Sequence, residues 1–303
     1  MDKILVMRGG AIGDFVLTLP VLAALKRCHP KARIDILGYP KIASLGVASG
    51  LAAQVRPVES PTLAGFFVAD ANLDPDWCKY FSQIDLFISY LHDPQKLLET
   101  NIKRASRGRY LCGPHRPDER FNLHATDVFL KPLETIGILD ADPVPKLQVP
   151  ISMEGRLPDA DWIALHPGSG SPQKNWPLER WIQLVENVFK TTPSRVLLTG
   201  GEAESDRLKT LGAYFSNERI TPAINLPLTL LAQKMSQCKL FLGHDSGISH
   251  LAAALGIPGQ VLWGPTNPNV WRPRSPKFEI LFSESGLGGL SVDSVFAQFR
   301  KKM

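Results

Sequence analysis

A short stretch near the carboxyl end, Phe241-Leu-Gly-His-Asp-Ser-Gly-Ile-Ser-His250, gathers a carboxylate, a hydroxyl and an imidazole in one turn. An apolar strand over 239–242 runs into it. A small-residue helix starting near Gly247 runs out of it through Leu251-Ala-Ala-Ala-Leu-Gly-Ile-Pro258. The first N–H groups of a helix lack intrahelical partners, and the helix dipole is positive there, so the junction suits a phosphate. Asp245, Ser246 and His250 at that point fit an anionic-ligand site of an α/β enzyme better than they fit packing.

Other loops have the same strand–turn–helix form. Arg8-Gly-Gly-Ala-Ile-Gly-Asp14 follows the first strand. A dinucleotide fingerprint needs Gly-x-Gly-x-x-Gly, and position 8 is arginine, which weighs against a nicotinamide dehydrogenase. Asp35 has the spacing of a ribose carboxylate but falls inside strand two. Asp14 is either a helix N-terminal acid held by the dipole or a general base. His166-Pro-Gly-Ser-Gly-Ser-Pro-Gln-Lys174-Asn-Trp-Pro177 offers backbone and hydroxyl donors plus a cation to phosphate oxygens. Thr199-Gly-Gly-Glu-Ala-Glu204 ends another strand, with Glu202 or Glu204 available to ribose hydroxyls. Trp263-Gly-Pro-Thr-Asn-Pro follows the last expected strand, its tryptophan either core or a sugar contact.

These loops need an alternating framework, and the periodicity supplies one. Strands are expected at 4–7, 34–37, 84–89, 162–165, 195–199, 239–242 and 260–263. Helices are expected at 15–27, 123–136, 178–189, 204–211, 228–235 and 291–299. The segment 140–150 is proline-rich and aperiodic, so it reads as a linker between a domain at 1–150 and one at 151–303. The fold class is α/β, two Rossmann-like domains whose parallel sheets face a central cleft, with ligands beyond the carboxyl ends of the strands.

The chain has 303 residues, 44% hydrophobic and 21% charged, and a net charge of +5. That charge is too mild to indicate nucleic acid. Apolar runs are too short to span a bilayer, and the sequence opens directly on a strand, so a cytoplasmic location is expected. Four cysteines, at 28, 78, 112 and 238, show no zinc or disulfide spacing. The local run Lys103, Arg104, Arg107, Arg109, Arg116 and Arg120 is either a solvated basic face or a docking surface for a phosphorylated sugar or a membrane.

Taken together the motifs resemble glycosyltransferase family 9, the heptosyltransferases of bacterial lipopolysaccharide core assembly. The resemblance rests on Gly-Ala-Ile-Gly-Asp14 with Leu19-Pro20, on His166-Pro-Gly-Ser with Lys174 and Trp176-Pro177, on Gly200-Gly201 with Glu204, on Asp245-Ser-Gly with His250, and on the segment 122–138 before the linker. It implies a GT-B architecture, with the acceptor domain first and the nucleotide-sugar domain second. The implied reaction is an inverting, metal-independent transfer of heptose from ADP-heptose to a lipopolysaccharide core-type acceptor. Asp14 would be the base. Donor contacts would fall on Gly13, Gly168, Ser169, Lys174, Asp245, Ser246, Gly247 and His250, with Glu204 on the ribose and Leu226 beside the adenine. No cofactor or metal is expected. The partners would be the nucleotide-sugar and an anionic glycolipid or oligosaccharide bound by Arg104, Arg107, Arg109, Arg116 and Arg120, with peripheral contact at the inner membrane surface. Residues 52–120 carry no family motif. Three alternatives therefore stay open: another nucleotide-sugar, another acceptor (O-chain, capsule or protein), or a non-catalytic nucleotide-sugar-binding module.

Overall fold

The computed structural model describes residues 1–215 and 219–302. The chain divides into two compact units, Met1–Pro143 and Val144–Met303, at the start of the 140–150 segment.

The first unit contains strands β1 (Lys3–Arg8), β2 (Arg33–Gly38), β3 (Gln54–Pro57), β4 (Leu86–Ser89) and β5 (Arg109–Cys112). They form one sheet in the order β3-β2-β1-β4-β5, with every pairing parallel. Its helices are α1 (Ile12–Val16), α2 (Leu19–Cys28), α3 (Pro40–Ala48), α4 (Pro75–Phe81), α5 (Leu97–Ala105) and α6 (Ala125–Glu134). The second unit contains β6 (Trp162–His166), β7 (Arg195–Gly200), β8 (Ile220–Ile224), β9 (Leu240–His244), β10 (Gly259–Leu262) and β11 (Phe278–Leu281). These lie in the order β11-β10-β9-β6-β7-β8, again wholly parallel. Its helices are α7 (Leu178–Thr191), α8 (Ser205–Tyr214), α9 (Leu228–Met235), α10 (Gly247–Ala254), α11 (Pro268–Trp271) and α12 (Val292–Arg300).

Each unit starts at the middle of its sheet, winds outward one way, then returns and winds the other way. That is the doubly wound order, and its direction switches between β1 and β4 in the first unit and between β6 and β9 in the second. Parallel strands covered on both faces read as unbroken apolar runs. β4, β6 and β9 are buried along their whole length. Leu5, Met7, Phe66, Trp77, Phe81 and Phe87 pack one face of the first sheet. Trp176, Trp181, Leu184, Leu198, Leu242 and Phe299 pack one face of the second.

Several elements depart from the sequence reading. The expected helix at 15–27 is two helices. Pro20 has no N–H to give the Val16 carbonyl, so the ladder stops, and the Thr18 hydroxyl donates instead to the Asp14 carbonyl at 2.8 Å. The strand expected at 239–242 runs on to His244, and Gln260–Leu262 is followed by a further strand, β11. β3 and β8 sit at sheet edges, where their Pro57 and Pro222 are tolerated. Trp263 is core: it is buried, and its indole N–H donates to the Thr266 carbonyl at 2.7 Å.

Asp35 is structural. Its side chain is fully buried in β2 and accepts from Arg33 Nε at 3.0 Å, from Gln54 Nε2 at 2.8 Å and from the Tyr80 hydroxyl at 2.8 Å. Removing one donor leaves a buried carboxylate under-satisfied, at about 1–3 kcal/mol. Tyr80→Phe is therefore expected to destabilise the first unit by that amount in urea unfolding; a midpoint equal to the wild type would contradict the assignment.

Candidate active site

Because the strands are parallel, every loop after a carboxyl end emerges on the same edge of its sheet. In the first unit this edge carries the loop after β1, and α1 begins there. Gly13 and Asp14 stand in the first turn of α1. Asp14 Oδ2 accepts from the Ala11 N–H at 2.8 Å, and Oδ1 faces Arg8 Nη2 at 3.2 Å. Gly10 has φ +91°, and a Cβ there would stand 2.5 Å from Asp14 Oδ2, so only glycine fits.

In the second unit the switch point lies between β6 and β9. The loop after β6 meets the turn after β9. Lys174 Nζ reaches Asp245 Oδ2 at 2.6 Å, and the Thr266 hydroxyl donates to the same oxygen at 2.5 Å. Ser246 caps α10, its hydroxyl accepting from the Ser249 N–H at 3.4 Å, and Gly247 opens the helix. His250 lies buried in the second turn of the same helix. The positive end of α10 and the Lys174 ammonium thus converge beside Asp245. A carboxylate only accepts hydrogen bonds, so towards an anion Asp245 acts by holding Lys174 and Thr266 in place.

Neighbouring loops complete this edge. Glu204 Oε2 accepts from the Gly201 N–H at 2.8 Å, and its side chain lies against Gly168, where a Cβ would come within 2.0 Å of Glu204 Cγ. Gly168 is therefore required by close approach. Ser169 is spent inside its own loop, its hydroxyl 2.8 Å from the Ser171 carbonyl and 2.9 Å from Asn175 Oδ1. Leu226 follows β8, half-buried, just after Asn225, whose N–H donates to the Gly200 carbonyl at 3.0 Å.

The basic run is not one surface. Arg104 ends α5, and Arg109 starts β5, paired to Leu86 at the amino end of β4. Arg104 donates to Asn101 Oδ1 and Arg109 to the Thr135 carbonyl. Arg104, Arg107 and Arg109 therefore belong to the edge opposite Asp14. Arg116 and Arg120 follow the carboxyl end of β5, on the Asp14 edge, and pair with Glu119 and Asp118.

Residues to which the sequence assigned no positioning role hold the site. His244 ends β9. Its Nε2 accepts from the Trp176 N–H at 2.8 Å, so Nδ1 carries the hydrogen and faces the Gly168 carbonyl at 3.3 Å. One neutral ring thereby ties the Lys174 loop to β9. Burial, aided by His166, pushes the His244 imidazole down to about 3. His166, buried and 3.0 Å from the Thr199 carbonyl, moves the same way. Thr266 and Arg8 were also missed. No sequence signal marks them, since their partners lie on other loops or across a turn.

Among the described residues no helix is long and apolar enough to cross a membrane, and no three His, Cys, Asp or Glu side chains gather as a metal would require. Residues 146–288 match the sequence profile of glycosyltransferase family 9 (heptosyltransferase). That matched segment, just under half of the chain, contains the Lys174–Asp245 pair. The lipopolysaccharide heptosyltransferase 1 of Pseudomonas aeruginosa is 33% identical over 111 residues, 37% of this chain but only 31% of the relative. A putative glycosyltransferase of Haemophilus influenzae is 24% identical across 90% of this chain and 86% of its own length. Among solved structures, an Escherichia coli heptosyltransferase with ADP superimposes with a TM-score of 0.78 at 18% identity, over 99% of this chain and 100% of that one. This likeness shows the fold, that of the GT-B glycosyltransferases.

A stability prediction follows from His244. Its folded pKa is about 3 against an ordinary 6.5. The unfolded chain binds the proton first, so the stability of the neutral ring is fully present above about pH 6.5 and is lost as pH falls toward 3. The slope is at most about 1.4 kcal/mol per pH unit for one such group. His244→Gln keeps an acceptor for Trp176 but cannot titrate. Its unfolding midpoint should fall less steeply from pH 6.5 to 5 than that of the wild type, and equal slopes would contradict the neutral assignment.

Proposed function

We propose that the protein is an inverting glycosyltransferase that moves heptose from ADP-heptose to an anionic, lipopolysaccharide core-type acceptor. The observation that carries this reading is the convergence of Lys174, held by Asp245 and Thr266, with the N-terminus of α10 at the switch point of a family 9 domain. ADP is chosen because the solved heptosyltransferase with this fold was obtained with ADP.

In the proposed reaction the first unit binds the acceptor and the second the donor. Asp14 takes the proton of the acceptor hydroxyl. That oxygen attacks the anomeric carbon from the face opposite the diphosphate, the C–O bond to the diphosphate breaks, and ADP leaves with the electron pair. One inversion follows from one displacement. Lys174 and the α10 N–H groups meet the negative charge as it develops, which is preorganised electrostatic stabilisation. Glu204 would hold the ribose hydroxyls and Leu226 would border the adenine. Arg116 and Arg120 are the arginines we retain for the acceptor, since they share the Asp14 edge. We place the enzyme in the cytoplasm, in peripheral contact with the membrane that holds its acceptor; the four unpaired cysteines accord with a reducing compartment.

Calorimetric titration with ADP, UDP and GDP tests the donor: ADP should bind selectively, and preference for UDP or GDP would overturn the heptose assignment. Lys174→Ala removes the cation and leaves the Asp245 charge to repel the diphosphate, so ADP affinity should fall roughly 10- to 100-fold. Unchanged affinity would refute the role. Asp14→Asn should lower transfer roughly 10²- to 10⁴-fold with ADP affinity retained, and equal loss of both would sink the base assignment. Turnover in excess chelator should equal turnover without it.

A further inference from the structure

We propose that Arg8 is the positioning residue for Asp14, an inference that rests on the reading of Asp14 as the base. Arg8 is the last residue of β1 and occupies the place where a dinucleotide fingerprint would have its first glycine. Its side chain is only 2% exposed, against 30% for Asp14. A buried guanidinium is costly unless its donors find acceptors, and burial accordingly pulls the Arg8 pKa down while Asp14 opposes that shift.

Two of its three acceptors belong to the base itself. Nε donates to the Asp14 carbonyl at 3.2 Å, Nη2 to Asp14 Oδ1 at 3.2 Å, and Nη1 to the His115 carbonyl at 2.9 Å. The guanidinium carbon lies 4.4 Å from the centre of the Phe129 ring and 5.7 Å from that of Tyr90. The Tyr90 hydroxyl donates to the Phe129 carbonyl at 2.5 Å, which fixes that pair of rings. Arg8 is thus clamped by α6 and the strand β4 exit on one side, and grips Asp14 at both backbone and side chain on the other. Through His115 it also ties in the loop after β5, the loop that carries Arg116.

The Ala11 N–H takes the second carboxylate oxygen. Each oxygen has two lone pairs, so this double hold still leaves one on each for an acceptor hydroxyl. A buried arginine does not itself reach substrate, so its effect passes through Asp14. Lysine would not replace it: a single ammonium lacks the planar fork that meets separated acceptors together. A misplacement of the base near 1 Å can cost roughly 10²-fold in rate.

The test compares Arg8→Met and Arg8→Lys with wild type and Asp14→Asn, using the full chain, ADP-heptose and a core-type acceptor. Arg8→Met keeps an unbranched apolar side chain at this position but removes every side-chain donor. Its kcat should fall roughly 10- to 100-fold, with ADP affinity by calorimetry and the KM for donor within about twofold of wild type. Arg8→Lys should recover part of the kcat. A folded Arg8→Met with wild-type kcat would overturn the proposal, and so would a matching loss of ADP affinity. Should Arg8→Met fail to fold, Arg8→Lys decides: kcat reduced at unchanged ADP affinity supports the clamp, and wild-type kcat refutes it. Retained activity in Asp14→Asn would instead overturn the base assignment, which separates the two failures.

Discussion

Parallel pairing of the central strands is the constraint from which the site follows. β1 with β4, and β6 with β9, are joined in register along their lengths. Parallel neighbours need crossover connections, so every carboxyl end opens on one edge and every helix returns along a face. At the switch points the chains leave in opposite directions, and the polar loops that follow β1, β6 and β9 have room there. Arg8, Asp14, His166, Lys174, His244 and Asp245 all lie at those strand ends or in the loops that follow them. Their chemistry depends on a scaffold that is apolar and rigid just beneath them.

The second unit shows how that rigidity reaches the reacting groups. Trp176 is fully buried, with its indole N–H on the Leu290 carbonyl and its backbone N–H on His244. The loop bearing Lys174 is therefore pinned only two residues from the lysine. Asp245 fixes the ammonium, and Thr266 fixes Asp245. The arrangement holds a neutral, buried histidine, so acid is expected to weaken this unit. In the first unit a buried arginine replaces the histidine as the fixing group. Both edges use a buried nitrogen-bearing side chain to fix a loop that carries a half-buried polar residue.

Much of this was legible in the sequence where side-chain pattern and position coincide. β6 and β9 are continuous apolar runs, and α9 spans the residues its periodicity predicts. β5 and β11 were not legible, because Arg109-Tyr-Leu-Cys and Phe278-Glu-Ile-Leu are partly exposed edge strands without a buried run. α5 escaped for a similar reason: Thr100, Lys103 and Arg104 make its exposed face polar. Glycines and acids at strand ends marked the loops of the site. Partnerships such as Arg8 with Asp14, His244 with Trp176 and Thr266 with Asp245 depend on side-chain direction, which residue type does not encode. The basic run misled because nearness in sequence across β5 places residues at opposite edges of the sheet.

The most direct test of the account is to follow purified protein with ADP-heptose by phosphorus and proton nuclear magnetic resonance, with and without a phosphorylated core-type acceptor. ADP release should depend on the acceptor, together with a new glycosidic signal of inverted anomeric configuration. Retained configuration, or ADP released equally without acceptor, would contradict it.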